Sequence, residues 1–147
     1  MAELISSLCA TSARIVEAVG LARAARYAME RVVFSRPIGQ NQAIQHPLAE
    51  RWVELEAAEL MVLRAAAAYD RGEEAGAYAN AAKYCAAEAG FRACETAIMT
   101  HGGMGYAREY HVERYFREIQ IARIAPVSPQ LILSHIAERV LALPKSY

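Results

Sequence analysis

The chain has 147 residues, 55% of them hydrophobic and 8% aromatic, with few glycines and prolines. That length suits one domain with a real core, and an apolar fraction so rich in alanine favours helix against helix over a sheet. Sixteen basic and sixteen acidic side chains cancel, which excludes a general nucleic-acid or anionic-membrane binder.

The first helix is expected from about Glu3 to Phe34, with Leu4, Leu8, Ile15, Val19 and Ala22 forming its inward stripe. Pro37 and Gly39 stop it, and Ser35 to Gln40 make the turn. A second helix begins between Asn41, which can cap, and Pro47, which suits only a first turn. Leu48, Trp52, Leu55, Val62 and Tyr69 give it a heptad-like stripe, and Asp70-Arg71-Gly72 ends it. A third helix covers about Ala75 to Thr100 and is broken by Gly102-Gly103. A shorter one covers roughly Glu109 to Ile119, and a last one runs from near Gln130 to Leu143, with Ser128 as N-cap and Pro129 at its first position. No strand-like alternation or internal repeat appears. The expected fold is all-α: an up-and-down four-helix bundle with a short extra helix.

Little in the side chains announces chemistry unaided. Cys9, Cys85 and Cys94 cannot all pair, form no CxxC, and read as small buried thiols in a reducing, cytoplasmic setting. His46, His101, His111 and His135 lack metal-ligand spacing, so no metal site is expected, and no Ser/His/Asp elbow is present. Glu113 with Arg117 and Arg114 with Glu118 read as exposed i,i+4 pairs. No apolar run approaches the ~20 residues of a membrane span, and the first residues lack the basic and apolar regions of a secretion signal.

Several separated motifs fall in an informative order. They are Tyr27 to Phe34, Pro37-Ile38-Gly39 with Gln42, His101-Gly102-Gly103-Met104-Gly105-Tyr106, and Glu113 to Glu118. In this order the chain resembles the C-terminal helical domain of the acyl-CoA dehydrogenases, from about Leu4 to Leu143. The resemblance implies FAD as cofactor. Arg31 would reach the pyrophosphate of a neighbouring subunit's FAD in a bidentate fork, with Phe34 beside the cofactor and Gln42 adding an amide contact. Gly102 and Gly103 would lie against the adenosine half, where a missing Cβ lets backbone approach ligand. The family often has Gln three residues before that pair, and Met99 stands there.

The elbow Ile124 to Gln130 departs further. Many members have Tyr-Glu-Gly-Thr-x-Gln, whose Glu removes the proton α to the thioester. Pro126 takes the place of that Glu, Val127 that of the Gly and Ser128 that of the Thr, while Gln130 is retained. Ser128 and Gln130 keep a hydroxyl and an amide for FAD, but proline has no ionisable group. Some members carry the Glu on the first helix, where the matching position is Ile5 and the nearby Glu3 is a weak candidate base. The resemblance therefore implies a single domain over 1–147, with the N-terminal helical and middle β domains absent and no α-proton base at the elbow. The chain is expected to be inactive alone, as a fragment, a split subunit or a remnant. It would complete an acyl-CoA-oxidising flavoprotein as a homo-oligomer, or with a partner subunit carrying the missing domains. The alternative is a helical interaction or scaffold module that has lost flavin.

Overall fold

In the computed structural model, residues 20–146 are described. Glu3, Ile5, Cys9 and the stripe from Leu4 to Val19 lie outside them. Helix α1 is helical over residues 20–30 and stops short of Phe34. Val32–Val33 (β1) instead pairs antiparallel with Arg36–Pro37 (β2), in the register Val32↔Pro37 and Val33↔Arg36. β-Branched valines favour extended backbone, and Pro37 biases Arg36 away from the helical region. The two-residue turn between the strands, Phe34-Ser35, has φ 51° and 63°. Positive φ at both central positions matches a type I′ hairpin turn, normally the preserve of Asn and Gly.

A 3-10 turn at Ile38–Gln40 leads into α2, Gln42–Asp70. Asn41 precedes this helix but does not cap it with its side chain. Its amide serves the hairpin, accepting from Arg36 at 3.0 Å and donating to Ile38 O at 3.0 Å. Pro47 lies inside α2 rather than in its first turn, so one backbone donor is missing there.

Helix α3 spans Gly76–His101 and carries most of the core. α2 runs antiparallel to it along a line of small residues: Ala65 with Ala79 and Ala82, Ala58 with Ala86 and Ala89, and Leu48 beside Ala97. Leu48, Leu55 and Val62 take the inward positions read from the sequence, whereas Trp52 and Tyr69 are exposed. α1 runs parallel to α3, with Ala24 against Ala97 and Tyr27 against His101.

The fourth helix, α4, is Val112–Ile124, shifted from the expected Glu109 to Ile119. Arg108–Tyr110 forms a 3-10 turn, and His111 at φ 61° separates it from α4. α4 descends antiparallel to α3, with Val112 near Ala97, Tyr115 and Ile119 near Cys94, and Phe116 against Phe91. Its outer face carries the two expected pairs, Arg117–Glu113 at 3.1 Å and Arg114–Glu118 at 3.6 Å. Helix α5, Pro129–Arg139, packs on α3 through Ile132 and ends before Leu143. Ala142 at φ 54° turns the chain so that Leu143 N returns to Ala137 O, a left-handed closure of a helix end. Among the described residues no helix is long and apolar enough to cross a membrane.

Candidate functional site

One end of the bundle is pinned by rings. Tyr27 stacks on His101 with centroids 4.3 Å apart, and Tyr110 meets the two rings edge-on at 5.7 and 5.6 Å. His101 Nδ1 donates to Ala97 O at 2.7 Å, because a carbonyl can only accept. The end of α1 is thereby fixed to the end of α3. The hairpin, the start of α2 and the Gly102–Gly105 turn accordingly sit at the same end. Arg31, Phe34 and Gln42 are exposed there, Phe34 at 95%. Neither the Arg31 guanidinium nor the Gln42 amide has a side-chain partner among the described residues.

The fold requires glycine at two of the three glycine positions of the turn. Gly102 sits at φ 59°, ψ −133°, a conformation that a Cβ makes very costly. A Cβ on Gly105 would lie 2.5 Å from Ile98 O, so that glycine is needed for α3 and the turn to touch. A Cβ on Gly103 would meet nothing within 4 Å, and its φ is not positive. The fold of this chain explains Gly102 and Gly105 but places no constraint on Gly103.

The elbow lies at the other end. Ser128 caps α5, its Oγ accepting from Leu131 N at 3.4 Å. The hydroxyl hydrogen remains available for a second partner. Pro126 and Gln130 are exposed beside it. The elbow is held against α3 by Arg123, whose Nε donates to Glu88 Oε1 at 2.8 Å and whose guanidinium lies 4.4 Å from the centre of the Phe91 ring. Lys83 Nζ also donates to Ala122 O. Between Lys83 and His101, α3 rises about 27 Å at 1.5 Å per residue. The candidate residues thus form two groups at opposite ends of one copy: Arg31, Phe34, Gln42, Gly102 and Gly103 at one, Ser128 and Gln130 at the other.

Residues 6–141 match the family model described as acyl-CoA dehydrogenase, C-terminal domain. The chain belongs to the acyl-CoA dehydrogenase family. It is 45% identical over 129 residues to the acyl-CoA dehydrogenase FadE12 of Mycobacterium tuberculosis, covering 86% of this chain and 33% of that relative. It is 38% identical over 130 residues to the 3-(aryl)acrylate reductase of Clostridium sporogenes, covering 85% and 34%. Among solved structures, glutaryl-coenzyme A dehydrogenase in complex with glutaryl-CoA superposes with a TM-score of 0.89 at 32% identity, over 99% of this chain and 37% of that one. Butyryl-CoA dehydrogenase from Megasphaera elsdenii gives 0.83 at 32% identity, over 88% and 33%. The chain spans about a third of the length of the curated relatives it matches.

For this acyl-CoA dehydrogenase domain, sequence reasoning nominated candidate residues at the two ends but not the residues that hold those ends in place. Tyr27, His101 and Tyr110 are too far apart in sequence to announce a ring cluster. Lys83 and Arg123 belong to no motif that sets them apart in the sequence. Cys94 is buried and Cys85 half-buried, neither forms a disulfide among the described residues, and burial pushes the Cys85 thiol pKa up. Among the described residues no three His, Cys, Asp or Glu converge as metal ligands.

Proposed function

We propose that this bundle is the C-terminal, FAD-binding and oligomer-forming domain of an enzyme that removes hydrogen from the α and β carbons of an acyl-CoA thioester. The observation that carries the reading is the separation of the candidate residues to two ends of the bundle, with Arg31 and Gln42 exposed at one and Gln130 exposed beside the Ser128 cap at the other. One copy would give Arg31, Phe34, Gln42, Gly102 and Gly103 to one flavin and Ser128 and Gln130 to another. Each flavin is then completed by two copies.

The donor set fits FAD. A guanidinium can hold pyrophosphate oxygens in a fork, and two amides and a hydroxyl suit phosphate, ribose and adenine edges. The open backbone at Gly103 leaves room for a ligand to lie against it. Bound FAD supplies the acceptor for a hydride from the substrate β-carbon. The residues of this chain bind and orient, and none at the elbow takes a proton. Pro126 offers only ring carbons where abstraction needs a base within about 3 Å. In this reading the bundle is one of three domains, and the N-terminal helical and middle β domains that cover the flavin ring and acyl chain come from elsewhere in the assembly. The absence of a disulfide at Cys85 and Cys94 among the described residues supports a reducing, cytoplasmic setting.

Two expected results arise here. The chain should self-associate, because α2 exposes Trp52, Val53, Leu60 and Leu63 within an arc of about 100° of the helix. Sedimentation at micromolar concentration should show a dimer or larger, and a clean monomer would count against assembly through this face. Pro126→Glu should add acyl-CoA oxidation to the complete FAD-loaded assembly if only the base is missing. If the unmodified assembly already turns over, the base lies elsewhere and Glu3→Gln is the decisive variant. A purified assembly without flavin absorbance would favour the scaffold alternative over the enzyme.

A further inference from the structure

The last carbonyls of any helix have no partner within it. At the end of α4, Ile121 O accepts from Ala125 N at 2.8 Å. Ala122 O accepts from the Lys83 ammonium, which reaches across from α3. Lys83 is 3% exposed, and among the described residues no arginine or other lysine is buried so deeply. An ammonium is costly to bury unless it is hydrogen-bonded, and the negative end of a helix dipole favours a cation. One residue further on, Arg123 is held by Glu88 and lies over Phe91. α3 therefore grips the end of α4 twice, immediately before the elbow. Filling space does not require a charge at this depth, since the neighbours Ala82, Ala86 and Ala87 are alanines and a methionine has a similar length. On the far side of the elbow, α5 starts with its own cap from Ser128. The direction in which Ser128 and Gln130 leave the bundle thus depends on how the end of α4 is fixed.

We propose that Lys83 is a positioning residue for the elbow half of the flavin site: its buried ammonium holds the end of α4 and so sets where Ser128 and Gln130 point. The inference rests on the assignment of Ser128 and Gln130 to FAD. Amide hydrogen exchange of the full chain tests the grip, and FAD titration of the complete assembly tests its consequence. Lys83→Met should speed exchange at Ala125, Leu131 and Ile132 about tenfold while leaving the alanine contact between α2 and α3 nearly unchanged. In the assembly the same variant should weaken FAD about fivefold or more. Lys83→Arg, which keeps a charged donor, should restore most of both.

Exchange that is unaltered, or that rises evenly through the bundle, would overturn the proposal. If Lys83→Met does not fold, Lys83→Gln removes the charge but keeps a donor and is read by the same criteria. Should the elbow loosen in a protein whose unmodified assembly takes up no FAD, the flavin assignment falls while the hold of Lys83 on α4 stands.

Discussion

Gly105→Ala is expected to destabilise the bundle by about 1–3 kcal/mol, the range for forcing a carbon into a packed interior. The new Cβ would fall 2.5 Å from Ile98 O, a backbone atom in α3 that cannot swing aside. For a domain of this size the loss corresponds to roughly 3–12 °C in Tm. Gly103→Ala, two residues earlier, should leave Tm within about 1–2 °C, because its Cβ meets no atom of the chain. The same Gly103→Ala change should lower flavin retention in the complete assembly. Thermal melts and flavin absorbance of both variants separate packing from ligand contact within one short motif. Equal melting temperatures would refute the packing assigned to Gly105. Full flavin content in the Gly103 variant would remove Gly103 from the site.

Arg31→Ala should weaken FAD in the assembled enzyme by about 1.5–3 kcal/mol, the usual contribution of a hydrogen bond to a charged group. That is roughly a 10- to 150-fold rise in Kd. The melting temperature of the flavin-free chain should not change, since Arg31 is exposed and has no side-chain partner among the described residues. Arg31→Lys should recover only part of the affinity, because an ammonium lacks the planar fork. Unchanged FAD affinity in Arg31→Ala would take this residue out of the site.

The helical bundle was legible because alanine-rich segments with helical periodicity are long here and are punctuated by Gly102-Gly103 and by Pro126 and Pro129. Its local departures have local causes. Val32-Val33 turned a helix end into a hairpin strand, since branched side chains at the margin of a helix compete for extended backbone. His111 entered the left-handed region and delayed α4, something neither periodicity nor a glycine signals. Pro47 remained inside α2, where tertiary packing outweighs one missing hydrogen bond. For the candidate site, motif order nominates Arg31, Phe34, Gln42, Gly102, Gly103, Ser128 and Gln130, and their exposure or position at the bundle ends is what the structure adds. Their division between two ends is not given by motif order. It depends on α4 descending antiparallel to α3, which is fixed by contacts such as Arg123 with Glu88, 35 residues apart.

The central claim, that each flavin is completed by two copies of this domain, meets its most direct test in mixed assemblies. One copy carries Arg31→Ala and the other carries Ser128→Ala with Gln130→Ala, and flavin is counted in the purified heterodimer. If the two ends serve different flavins, one site per heterodimer pairs an intact hairpin with an intact elbow and holds FAD as tightly as the unmodified protein, while the other is doubly damaged. The expected result is one tightly held flavin per two chains, although each variant alone holds FAD only weakly. Weakened binding at every site of the heterodimer would mean that both ends serve one flavin from one copy, and would contradict the account.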